Sequence, residues 1–166
     1  MDNQLHFQRM APELAPLIHE SYRAEEKKKG NKVTWDFPYD DLPAHVKDSN
    51  IAAAFRMYEL AEMAGLQIVG DEEAAASGKQ TSETEVHKIL NSQIERLAAE
   101  EHEGWMLQKY LNAYKEGTER KEEERRHTAL VPYAELSEED RDKDRSNVRK
   151  MPAQLKEMKY RLVKPD

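Results

Sequence analysis

The chain has 166 residues, 38% of them apolar and 36% charged, with a formal charge of −7 at neutral pH and no cysteine. That length admits one ordinary domain or two very small ones, and the acidic balance argues against a general binder of DNA or RNA backbones. Without cysteine there is no disulfide, no thiolate zinc site and no cysteine nucleophile.

The opening residues "MDNQLHFQRM" read as a loose lead-in. They lack the basic start and apolar run of a secretory signal, and no stretch approaches the length of a membrane span. A soluble cytoplasmic protein is therefore expected. Pro12 suits a first helical turn, where its missing N–H is harmless. Leu14, Leu17, Ile18 and Tyr22 then mark an amphipathic helix that continues through "RAEEKKK" and ends near Gly30-Asn31.

Trp35, Phe37 and Tyr39 follow in a stretch that Pro38 and Pro43 keep from being a long helix. From Pro43 to Ala64 the pattern turns helical again, with Ile51, Phe55, Met57, Tyr58, Leu60 and Ala61 on a broad buried face. Gly65 stops that helix, and "LQIV" reads as a short extended tail. Residues 71–83, rich in Ala, Gly, Ser and Glu, read as an exposed linker.

Order resumes at Ser82, which opens a capping box with Glu85. Val86, Leu90, Ile94, Leu97, Glu101 and Trp105 share one face of a helix expected to run unbroken to about Asn112. The polar "KEGTERKEEERRHTA" reads as a charged loop. Ser137 is placed to cap a short helix with an acidic first turn, a second helix is expected over about 146–158, and "YRLV" follows as an extended tail. The fold class is all-α, with two short extended tails.

The order of these features repeats. "HESY" at 19–22 and "HEGW" at 102–105 each follow a Leu-Ala pair at the same offset, Leu14-Ala15 and Leu97-Ala98. With Pro38 set on Pro132 and no gap, Tyr39, Leu42, Asp48, Met57 and Val69 fall on Tyr133, Leu136, Asp142, Met151 and Val163. The chain is thus read as two tandem pseudo-symmetric repeats, 11–70 and 84–164, joined by the linker. Halves this small would have to lean on each other.

The segment "LVPYAELSEEDRDKDRSNVRKMPAQLKEMKYRLV" resembles the RyR domain, the repeat of ryanodine receptors that also occurs in bacterial and phage proteins. The resemblance rests on Pro132-Tyr133, Leu136 and Asp144-Arg145, on the "HEGW" helix before them, and on His127 in the loop. "HESY", "PYDDLP" and "KDSN" look like a more divergent partner repeat. The family's loop aromatics are replaced by "AYKEG", Thr128 stands where a Pro usually follows the His, and Asn50-Ile51 replaces the Asp-Arg pair.

The resemblance implies paired repeats with approximate two-fold symmetry and a nucleotide-like ligand between them. Tyr22 and Trp105 are then the rings flanking a base, with His19, His102 and Asn50 beside them and Arg120 and Arg145 available to phosphate. The expected function is a non-catalytic module for a nucleotide-like anionic molecule. The alternative is a structural or protein-interaction module with a protein partner and no small-molecule ligand.

The residues themselves admit other chemistry. His19-Glu20 and His102-Glu103 invite a metal reading, but a zincin needs a second His four positions on, where Arg23 and Met106 stand. A His bonded to a backbone carbonyl is the plainer expectation. Asp144-Arg145 similarly reads either as a helix-start cap and ion pair or as a phosphate contact. No cofactor and no metal are expected. No serine lies in a nucleophile-elbow context, so no enzyme is expected either.

Overall fold

A computed structural model describes residues 3–166. Helix α1 (Asn3–Lys28) is followed by a short 3-10 turn at Tyr39–Asp41, α2 (Ala44–Met63), strand β1 (Gln67–Gly70) and α3 (Asp71–Ser77). Then come α4 (Glu83–Ser92), α5 (Ile94–Leu111), the two-residue strands β2 (Lys115–Glu116) and β3 (Arg126–His127), a second 3-10 turn at Tyr133–Glu135, α6 (Glu138–Glu157) and β4 (Tyr160–Val163). The molecule is all-α apart from these small strands.

Both long helices of the N-terminal half end in the same way. Gly30 and Gly65 adopt positive φ (74° and 76°), and the next residue donates back five positions, Asn31 N–H to Glu26 O and Leu66 N–H to Ala61 O. This is the Schellman geometry, which glycine enters without a Cβ clash.

α1 starts earlier than expected. Residues 3–10 are helical rather than a lead-in, so Pro12 and Pro16 both lie inside the helix; residues 1–2 fall outside the described residues. Ala11, Leu14 and Ala15 are fully or almost fully buried, and α1 packs along α2. That burial offsets the backbone hydrogen bonds the prolines delete, a tertiary contribution no local pattern displays.

The main core collects Leu14 of α1, Met57 and Leu60 of α2, Leu90 of α4, Leu97 of α5, and Val148, Met151 and Leu155 of α6. β1 and β4 pair antiparallel, Gln67 opposite Val163 and Gly70 opposite Tyr160. One face of this ribbon turns Ile68, Tyr160 and Leu162 into the core, and the other turns Val69 and Val163 onto Ala74 of α3. The period of two along each strand thus serves two separate clusters.

Three expectations are corrected here. The first seven residues of the expected linker form α3, tied down by buried Ala74, by Asp71 N–H donating to Lys159 O and by Arg161 Nε donating to Asp71 Oδ1. Three acidic residues in the first turn, three alanines and Gly78 at positive φ are sound helix signals in a short span. The expected long helix is broken at Gln93, whose Nε2 donates to Ala64 O at the end of α2. The two expected C-terminal helices are one, α6, with Ser137 Oγ accepting from Asp140 N–H and Pro152 inside it.

Candidate functional site

The two halves are joined by the β1–β4 ribbon and meet at two helix seams. At one, α2 lies against α5, and the approach is close because position 104 is glycine: a Cβ there would sit 2.2 Å from Arg56 Cδ. Arg56 crosses that gap and forks onto Glu101, Nε to Oε2 at 3.0 Å and Nη2 to Oε1 at 3.2 Å, with both residues buried. This α2–α5 seam and the β1–β4 ribbon, rather than the opening helices α1 and α5, carry most of the contact between the halves.

At the second place α1 faces α6 and the helices touch far less. Between them lies an open cavity of about 290 Å³. Glu25 of α1 reaches across it to Lys150 and accepts from Ser146 Oγ. Tyr22, His19, Asn50, His102, Trp105 and Arg120 all line this cavity. The sequence-predicted residues are therefore brought together, with one exception.

The exception is Arg145, which is not on the cavity wall. Its guanidinium is held outside by Glu95 (2.6 Å), Asp142 (2.8 Å) and Glu138 (2.9 Å), and these carboxylates raise its pKa further. Adjacent helical residues point about 100° apart. Asp144 faces inward, to His102 Nδ1 at 3.2 Å, so Arg145 faces out. Arg23 and Lys27 are likewise engaged elsewhere, both with Asp36.

The two helix histidines do the same job. His19 Nε2 bonds to Phe37 O at 2.8 Å and His102 Nε2 to Val131 O at 2.7 Å, each only 2% exposed. Each ring pins the start of the loop leading to a Pro-Tyr turn. His102 alone has a carboxylate on its other nitrogen. Burial pulls the His102 pKa down, but hydrogen bonds to Asp144 and the Val131 carbonyl outweigh it and the net shift is upward. Asp144 is raised by its own burial, against the lowering effect of His102. Among the described residues no group of three or more His, Asp or Glu is placed to hold a metal ion.

Trp105 is surrounded on several sides. The His102 ring stacks on it at 5.5 Å, the His127 ring meets it edge-on at 4.9 Å, and Lys109 Nζ lies 5.8 Å from its centroid. These neighbours come from α5 and from the long loop after it. Tyr114 Oη donates to Glu122 Oε2 at 2.5 Å, so its one proton is committed and His45 Nε2, 3.2 Å away, acts as donor to it. Burial and the Glu122 bond push the Tyr114 pKa up. His127 Nδ1 accepts from Ala129 N–H, and burial together with Arg120 and Lys109 lowers this ring to about 4. It is neutral at physiological pH.

Comparison with known proteins bears on residues 78–164, just over half the chain, which match the family model of the RyR domain. The chain belongs to the RyR domain family. The match spans α4, α5, the long loop, α6 and β4, so the cavity's Trp105, Lys109, Arg120, His127 and Asp144 all come from the RyR domain itself. Tyr22, Trp35, Asn50 and Arg56 come from the preceding segment. A search of curated proteins finds no match.

Sequence reading missed several wall residues. Arg56 and Lys109 interrupt apolar helix faces with single basic residues, a signal that could have been weighed. Trp35 lines the cavity, and its Nε1 is buried with no acceptor among the described residues. Arg56 Nη1 is in the same condition.

Proposed function

We propose that this chain is a non-catalytic binding module for a nucleotide-like anionic small molecule, held in the cavity between two RyR-like repeats. The carrying observation is that Tyr22 and Trp105 line one open cavity between the halves together with the cations Lys109 and Arg120. A concave site lined by rings and a few charged groups fits a ligand with a flat base and an anionic group. Tyr22 and Trp105 on the same wall offer ring surface for a base, and stacking of this kind contributes about 1–3 kcal/mol. Arg145 is dropped from the proposed contacts because its position excludes it.

The tandem reading has support of its own. Residues 11–70 run helix, 3-10 turn, helix, strand, the order of the RyR domain after α4 once the long loop with β2 and β3 is set aside, with the His-to-carbonyl bond at the same step. No described helix is long and apolar enough to cross a membrane, in keeping with a proposed cytoplasmic module. A protein-interaction module is the second reading. It draws on Leu107, Tyr110 and Leu111, exposed together on one side of α5.

A thermal-shift panel of adenine and guanine nucleotides, including cyclic dinucleotides, tests the first reading. At least one phosphorylated member should raise Tm, and Tyr22→Ala should reduce that rise. A flat panel at millimolar ligand would favour the interaction module.

A further inference from the structure

Lys109 is a buried cation with no ion-pair partner among the described residues. It is 7% exposed, and its ammonium lies 4.3 Å from the Tyr114 ring centroid and 5.8 Å from that of Trp105. Every other Lys or Arg on the cavity wall is paired: Arg56 with Glu101, Arg120 with Glu122, Lys143 with Asp140, and Lys29 and Lys150 with Glu25. Among the described residues, no carboxylate lies within ion-pair distance of Lys109 Nζ. Buried charges in folded proteins are paired or become neutral. Two aromatic faces attract an ammonium but do not replace a carboxylate.

Of the charges that face it, the Glu122 carboxylate acts on it more strongly than the Arg120 guanidinium. From the long loop, Arg120 and Glu122 face Lys109 and partly cancel, their charges 2.6 Å apart. His127 of β3 and His45 of α2 also feel its charge, and Tyr114 closes the far side. One net positive charge is left over, and its side chain borders the cavity.

We propose that the missing counter-ion of Lys109 is the anionic group of the ligand, a phosphate or carboxylate seated at the Lys109–Arg120 end of the cavity. This rests on the ligand reading above and deepens it by orienting the ligand. Burial lowers the Lys109 ammonium to about 8. An arriving anion favours the protonated form, so binding is coupled to proton uptake. The affinity for an anion is full near pH 7 and falls as pH rises through 8 toward 9. If only the ammonium form binds, the loss by pH 9 is about tenfold.

The test is titration of the full chain and of Lys109→Met with AMP, adenosine and inorganic pyrophosphate at pH 7 and pH 9. Met keeps the stem volume and removes the buried charge, so the variant is expected to fold. The expected result is AMP bound more tightly than adenosine at pH 7, with an advantage that shrinks about tenfold at pH 9 and is absent in Lys109→Met. AMP and adenosine binding alike, with no effect of the substitution, would overturn the inference and leave the ligand reading standing. If neither binds, AMP is not the ligand and pyrophosphate decides. A Lys109-dependent, pH-dependent response to it upholds the anion subsite, and no response overturns it.

Discussion

The two seams between the halves are built from corresponding positions and have opposite outcomes. In the register that sets His19 on His102 and Pro38 on Pro132, the closed seam's Arg56, Gly104 and Glu101 correspond to Lys150, Ser21 and Ile18 on the open side. Gly104 lets the Arg56 stem pass over α5 and fork onto Glu101. Ser21 carries a side chain where Gly104 has none, and Ile18 offers no carboxylate. Lys150 finds Glu25 instead, at a different level of α1. One seam is closed by a buried fork, and its counterpart, which has none, borders the cavity.

Removing the fork should have the largest effect. Glu101→Ala leaves the buried Arg56 guanidinium uncompensated, and breaking such a pair from one side costs about 3–5 kcal/mol. Denaturant unfolding should show a large drop in midpoint with an unchanged slope. A loss below about 1 kcal/mol would mean the closed seam is not what holds the halves together.

A pH profile sharpens the comparison at the cavity's other wall. His127 has a folded pKa near 4, below its ordinary value near 6.5, so the unfolded chain binds the extra proton between those limits. Its contribution is complete above about 6.5 and is lost as pH falls toward 4, by about 3 kcal/mol at most. His127→Gln should flatten that acid limb. Asp144, raised by burial, acts in the opposite direction from about 3.8 upward, so the difference between wild type and variant is the quantity to read. Identical acid limbs would show that His127 is not held neutral.

The open seam should respond least. Glu25→Gln removes the Lys150 and Lys29 pairs, which are partly solvated, and should change stability by about 1 kcal/mol or less. A larger loss would mean that the bridge across the cavity carries structure, and that the two seams differ less than their geometry indicates.

Much of this contrast was legible in the residues, but not all of it. The all-α class, the Gly30 and Gly65 stops, the Ser82 and Ser137 caps and the two extended tails follow from short-range chemistry, which a sequence displays directly. The His-to-carbonyl bonds were foreseen as the plainer role for those rings. Arg145 was misplaced although the helical turn from Asp144 could have warned of it. The Arg56–Glu101 fork and the orphaned Lys109 could not be read, because they depend on which helices cross and at what height. α3 was hidden by its brevity and is held by the β1–β4 ribbon, a pairing across most of the chain.

The central claim is that the open seam is a ligand site, and calorimetric titration of the full chain with adenine and guanine nucleotides and cyclic dinucleotides tests it most directly. Saturable heat at one ligand per chain is expected for at least one phosphorylated compound, weakened by both Tyr22→Ala and Lys109→Met and unaffected by Arg145→Ala. No heat from any compound at millimolar concentration, or binding that Arg145→Ala abolishes while Tyr22→Ala and Lys109→Met leave it intact, would contradict it.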